Sequence, residues 1–112
     1  MRKALVLLCL AALALTVLSP LAAAASLDVW IMQPGNADVE QLLKNAKTEF
    51  EAHHKGVEVN LQFIPWLSAW QKITTAVAGG EAPDVCELGT TMTPFYAEMG
   101  ALLDMGPYVD RW

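Results

Sequence analysis

The sequence predicts an α/β fold: a βαβαβ parallel sheet with helices on both faces. Three observations predict it. Short apolar stretches begin near Leu27, Val57 and Asp84, at a spacing of about 30 residues, the length of a βα unit. Between them lie two segments whose apolar residues recur at helical spacing. The links are short and rich in Gly and Pro, as βαβ crossovers require.

The 112 residues divide into two parts at residue 25. Met1-Arg2-Lys3 is a short basic start, Ala4 to Leu18 is an almost unbroken apolar run, and Ser19-Pro20 ends it. Ala22 to Ala25 then offers a small-residue cleavage site, which predicts a secretory signal peptide over residues 1–25 and a mature region over residues 26–112. A membrane anchor is the alternative, but the run is shorter than the roughly 20 residues that a spanning helix needs. Cys9 lies inside the run rather than at its cleavage point, which argues against a lipid anchor. Removing Arg2 and Lys3 from the seven basic residues leaves five against twelve acidic ones, a net charge of −7. Such a surface repels nucleic acid, so no nucleic-acid partner is expected. The mature region keeps one cysteine, Cys86, and therefore has no internal disulfide.

The first strand is expected over Leu27 to Met32, with Val29 and Ile31 on one face and Trp30 and Met32 on the other. Apolar residues on both faces indicate a parallel strand covered on each side. Gln33-Pro34-Gly35-Asn36 breaks it. Asp38 is the expected N-cap of the first helix, with Gln41 completing a capping box. Val39, Leu42, Leu43, Ala46 and Phe50 form its apolar stripe, Glu40 and Lys44 an i,i+4 ion pair, and Lys55-Gly56 its stop. His53 and His54 suggest a metal site only superficially. Adjacent helical residues diverge by about 100°, and imidazoles in a last turn suit the negative end of the helix dipole.

Val57 to Pro65 alternates, with Val57, Val59, Leu61 and Phe63 on one side and Glu58, Asn60 and Gln62 on the other, the pattern of a strand near a sheet edge. Ser68 and Gln71 predict the next capping box, and Trp70, Ile73, Thr74 and Val77 the stripe of a helix that Gly79-Gly80 ends. Pro83 prevents any continuation, and Val85, Cys86 and Leu88 supply the third strand. Cys86 there is expected to be a small buried hydrophobe rather than a nucleophile or metal ligand. Thr93-Pro94 is the expected start of a short last helix that Gly100 closes. Three strands whose edges remain open, with no closing element before Trp112, suggest the beginning of a larger domain.

No Gly-rich phosphate loop, Gly-x-Ser-x-Gly elbow or paired-cysteine spacing is present, so neither an enzyme nor a cofactor or metal is expected. Parallel sheets bind ligands beyond the carboxyl ends of their strands. Those ends place Gln33, Asn36, Trp66, Thr90 and Thr91 together as candidate ligand-binding residues. Trp66 offers either a flat face for stacking on a sugar ring or a core plug. Gln33, Asn36, Thr90 and Thr91 are uncharged hydrogen-bonding groups, suited to a neutral polyhydroxylated ligand. Trp70 and Trp30 are expected in the core, and Asp84, at the opposite end of its strand, is expected to be structural.

The chain resembles the amino-terminal part of family 1 extracellular solute-binding proteins, the maltose-binding-like receptors of ABC importers. The resemblance runs over residues 27–110 and is carried by four stretches in order. These are Phe50-Glu51-Ala52-His53-His54-Lys55-Gly56-Val57-Glu58-Val59, Pro65-Trp66 with Trp70-Gln71-Lys72-Ile73, Gly79-Gly80-Glu81-Ala82-Pro83-Asp84-Val85, and Phe95-Tyr96-Ala97-Glu98-Met99-Gly100-Ala101-Leu102-Leu103-Asp104. It implies part of the amino-terminal lobe of a two-lobed fold. It also implies a monomeric periplasmic receptor that closes on a sugar or oligosaccharide and delivers it to the transmembrane subunits of a permease. Sugar-binding relatives often carry charged side chains in the first and third loops, where this chain has Gln33-Pro34-Gly35 and Gly89-Thr90-Thr91. Alternatives are a polyamine, metal or amino-acid-derived solute, a small secreted adaptor if the chain ends at Trp112, and, more weakly, an exported hydrolase.

Overall fold

The structure, a computed structural model, describes residues 25–109. The expected signal segment, Ala25 apart, lies outside the described residues. In chain order the elements are β1 (Ala25–Met32), α1 (Ala37–His53), β2 (Val57–Ile64), α2 (Trp66–Gly79), β3 (Val85–Cys86), α3 (Thr93–Glu98) and α4 (Gly106–Val109). The strands form one parallel sheet in the order β2-β1-β3.

β1 and β2 pair along their whole length, from Ala25 opposite Val57 to Met32 opposite Ile64. β1 thus starts two residues earlier than the hydrophobic pattern implies, because Val57 pairs with Ala25 and Gly56 accepts its N–H at 2.7 Å. β3 pairs only through Val85 and Cys86, opposite Val29 and Trp30, and stops short of the expected Leu88. β2 lies at an edge of the three-stranded sheet, in keeping with its alternation.

The two crossovers leave β1 and β2 in opposite directions across the sheet. Since such crossovers are right-handed, α1 and α2 lie on opposite faces. Leu27, Val29 and Ile31 face Leu43, Ala46 and Phe50 of α1. On the other face Met32, Ile64, Ala69, Ile73 and Tyr96 are buried together, with Trp30, Val77, Cys86, Leu88 and Met92 packed around them. Ile64 is fully buried, which contributes about 1.5–3 kcal/mol. Tyr96 is buried too, and its hydroxyl lies 2.9 Å from Thr74 Oγ1.

Helix starts differ from the sequence expectation at three places. α1 is capped by Asn36 rather than Asp38: Asn36 is extended (φ −141°, ψ 128°) and its Oδ1 accepts the Asp38 N–H at 2.7 Å. Asp38 instead places its charge in the first turn, where the helix dipole favours it. α2 starts at Trp66, not after Ser68, because Pro65 fixes φ at −62° and the chain turns helical directly behind it. Ser68 lies inside that first turn, its Oγ donating to the Pro65 carbonyl at 3.2 Å. α3 likewise includes Thr93, whose N–H and Oγ1 both bond the Gly89 carbonyl at 3.2 Å. α4 was not anticipated; Asp104 Oδ1 accepts the Gly106 N–H that opens it, at 2.9 Å.

Candidate ligand-binding crevice

Because the strands are parallel, the loops Gln33–Asn36, Pro65–Trp66 and Glu87–Met92 all leave the same end of the sheet. The order β2-β1-β3 makes the gap between β1 and β3 the topological switch point, where the chain leaves adjacent strands in opposite directions and where open α/β sheets bind their ligands.

Gln33 is exposed, and its N–H donates to the Ile64 carbonyl at 2.8 Å, carrying the β1–β2 ladder one step past the strand. Asn36 is exposed as well, but its side-chain oxygen is engaged in capping α1. Trp66 is 55% exposed and so does not act as a core plug. Its indole comes against the loop after β3: Cζ3 lies 3.9 Å from the point where a Gly89 side chain would begin, and Thr91 Oγ1 lies at the same distance from it. Thr90 and Thr91 are exposed. The fold therefore brings Trp66, Gly89 and Thr91 together. Gln33 and Thr90 are placed at the same end of the sheet by topology.

Trp70 does not fill the core as its stripe implied. It is 47% exposed, with its ring 5.0 Å from Phe95 and 5.8 Å from Tyr96. Ala69 and Ile73 take the core positions, since the small Ala69 lets α2 approach the sheet where an indole would hold it off. Trp30 is half-buried against the core, with Lys72 Nζ 4.6 Å from its ring centroid.

Two carboxylates organise β3. Asp84 Oδ2 accepts the Asp28 N–H at 2.8 Å, a structural role as expected. Glu87 was not singled out from the sequence; its Oε2 accepts the Met32 N–H at 2.8 Å, at the crevice end. The only cue was a lone acidic residue inside an apolar run. Between the two, Cys86 is half-buried, and burial, reinforced by Glu87, pushes its thiol above the ordinary value, which disfavours the nucleophilic thiolate. At the other end of the sheet, where α1 stops, His54 stacks on Phe50 with centroids 4.2 Å apart. Among the described residues no three potential metal-ligating side chains of His, Cys, Asp or Glu come together.

At this end of the sheet the exposed Trp66 indole stands beside Gly89 and Thr91. Residues 33–112 match the bacterial extracellular solute-binding protein family. The chain belongs to that family. The diacetylchitobiose binding protein DasA of Streptomyces coelicolor is 38% identical over 80 residues, which are 71% of this chain and 18% of that protein. Among solved structures, the sugar-binding protein MalE of Xanthomonas citri superposes with a TM-score of 0.68 at 33% identity, over 79% of this chain and 21% of that one. The substrate-binding protein Lmo0181 of Listeria monocytogenes, in complex with cycloalternan, gives a TM-score of 0.63 at 32% identity, over 77% and 21%. The chain thus spans about a fifth of the length of these relatives. Its three-stranded parallel sheet with flanking helices matches part of the two-lobed solute-binding fold.

Proposed function

We propose that the protein is the extracytoplasmic receptor of an ABC importer and that it captures a sugar or oligosaccharide at the crevice described above. The observation that carries this reading is Trp66: an indole half-exposed at the switch point, against Gly89 and beside Thr91. A flat apolar face flanked by neutral hydrogen-bonding groups suits a sugar ring, whose C–H surface stacks while its hydroxyls bond outward. The relatives' own ligands, diacetylchitobiose and cycloalternan, support the same class. Gln33, Asn36, Thr90 and Thr91 are the proposed polar partners, with Asn36 contributing through its amide nitrogen because its oxygen caps α1.

The mechanism follows from a two-lobed architecture. Ligand touches both lobes only when they are closed, so binding shifts the population toward the closed form, which a permease then engages. The protein acts without catalysis or cofactor, as a monomer, after export to the periplasm and removal of residues 1–25 as a signal peptide.

Calorimetric titration of the complete secreted protein with diacetylchitobiose and cycloalternan tests the ligand class. Trp66→Ala is expected to weaken binding about tenfold or more, as loss of a stacked indole implies. An unchanged affinity would remove Trp66 from the site. Sugar affinity is also expected to be insensitive to salt; a steep salt dependence would favour a charged solute such as a polyamine. A concentration-dependent complex in sedimentation, with no response to sugars, would favour the adaptor.

A further inference from the structure

We propose that Glu87 is a positioning residue for this crevice: its carboxylate holds the loop after β3 against the end of β1 and sets where the ligand-facing residues stand. The inference rests on the binding reading above for its functional consequence, and on backbone geometry for its structural part.

Alternate residues of β1 turn their N–H groups toward β3, and these are Asp28, Trp30 and Met32. β3 is only two residues long, so the ladder between them is short. Its last backbone bond runs from the Glu87 N–H to the Trp30 carbonyl, at 2.8 Å. In a continuing parallel ladder the Met32 N–H would next be accepted by the Glu87 carbonyl. Here the Glu87 side chain accepts it instead, through Oε2 at 2.8 Å, and the carbonyl receives the Cys86 thiol at 3.4 Å. The carboxylate thus substitutes for its own backbone. The chain leaves the ladder after Glu87 and turns so that Gly89 meets the Trp66 indole, while β1 keeps its N–H satisfied.

The bond joins the residues that immediately precede two of the three ligand-facing loops. Met32 is followed by Gln33, and Glu87 by Leu88-Gly89-Thr90-Thr91. The next N–H of β1, that of Gln33, reaches the opposite way to the Ile64 carbonyl, two residues before Trp66. The consecutive N–H groups of Met32 and Gln33 therefore hold the third and second loops at once. A charged acceptor makes the Glu87 bond the stronger kind.

Asp84 is a built-in comparison. It makes the same bond, a carboxylate to a β1 N–H, at the end of β3 away from the crevice. Glu87→Gln, Glu87→Ala and Asp84→Ala in the complete secreted protein, titrated with diacetylchitobiose and followed by amide hydrogen exchange, separate positioning from mere support of the sheet. Glu87→Gln keeps an oxygen acceptor and is expected to bind within about threefold of the parent, whereas Glu87→Ala is expected to lose about tenfold or more. In Glu87→Ala the amides of Met32 and of residues 88–91 are expected to exchange faster. Asp84→Ala should accelerate only Asp28 and leave affinity within about twofold. Parent-like affinity in Glu87→Ala, or an equal loss in Asp84→Ala, would overturn the proposal. So would Glu87→Gln binding as weakly as Glu87→Ala while residues 88–91 exchange as in the parent, which would mean that the charge itself meets the ligand. If the parent protein ignores diacetylchitobiose, the ligand reading fails separately. Exchange then decides: acceleration at residues 88–91 in Glu87→Ala alone upholds the positioning role, and its absence ends it.

Discussion

Glu51 shows what a single carboxylate does at an open sheet edge. The odd-numbered residues of β2 turn their N–H groups away from β1, and Glu51 Oε1 accepts one of them, that of Val59, at 2.8 Å. The same oxygen accepts from Lys47 Nζ at 2.7 Å. Lys47 and then the Val59 N–H hold the Glu51 carboxyl below its ordinary 4.5. A depressed carboxylate stabilises the fold above its unfolded pKa and loses that contribution as pH falls through the folded value. Denaturant melts across pH are therefore expected to show the parent more stable than Glu51→Gln above about pH 4.5, the gap closing below it. Parallel curves would show that the edge bond does not depend on the charge. None of this was legible in the sequence beyond a favourable i,i+4 spacing, because the partner N–H lies on another element. Trp66 and Trp70 make the same point: four residues apart on one helix, they differ in what the fold sets beside them. Trp66 meets the loop of β3, and Trp70 meets Phe95 and Tyr96.

At the scale of the element, two adjacent glycines at the end of α2 have opposite roles. Gly80 takes the left-handed conformation (φ +73°) that lets its N–H and that of Glu81 close back onto Val77 and Ala76. Gly79 belongs to the helix, and neither glycine has an atom within 4 Å of where a side chain would start. Gly80→Ala is therefore expected to cost about 1–2 kcal/mol through the backbone alone. Gly79→Ala is expected to stabilise by about 0.5–1 kcal/mol. Thermal or denaturant melts of both variants check the pair, and a shift of the same sign in each would refute the capping account. Periodicity located every strand and the three longer helices, but it misplaced their starts. Asn36, Pro65 and Met92 stand at caps where Asp38, Ser68 and Thr93 were expected, since the chain's turn, and not the best-known capping pattern, decides which residue comes first.

At the scale of the molecule, much apolar surface stands uncovered. α1 buries none of its residues; Leu42 is 64% exposed, and Leu67 of α2 is fully exposed. An apolar cleft of about 290 Å³ separates α1 from the sheet, lined in part by Val29, Ile31, Phe50 and Val85. Under the closure mechanism proposed above, this sheet is one part of a larger closing body. Small-angle scattering of the complete protein is expected to give a smaller radius of gyration with sugar than without. An unchanged radius with sugar demonstrably bound would count against closure.

The sequence by itself determined the class of the fold and the end of the sheet at which the loops after the strands gather. Apolar periods of two and of about 3.6 residues say which segments are strands and helices, and parallel βα units put every loop after a strand at one end. Only the tertiary structure decided that β3 would be two residues long, that Trp66 would lie open against Gly89, and that Glu87 would stand in for its own carbonyl at Met32. Those outcomes depend on pairings between residues as many as 56 positions apart, such as Val29 with Val85, and a local pattern carries no information about which distant backbone group a residue will meet.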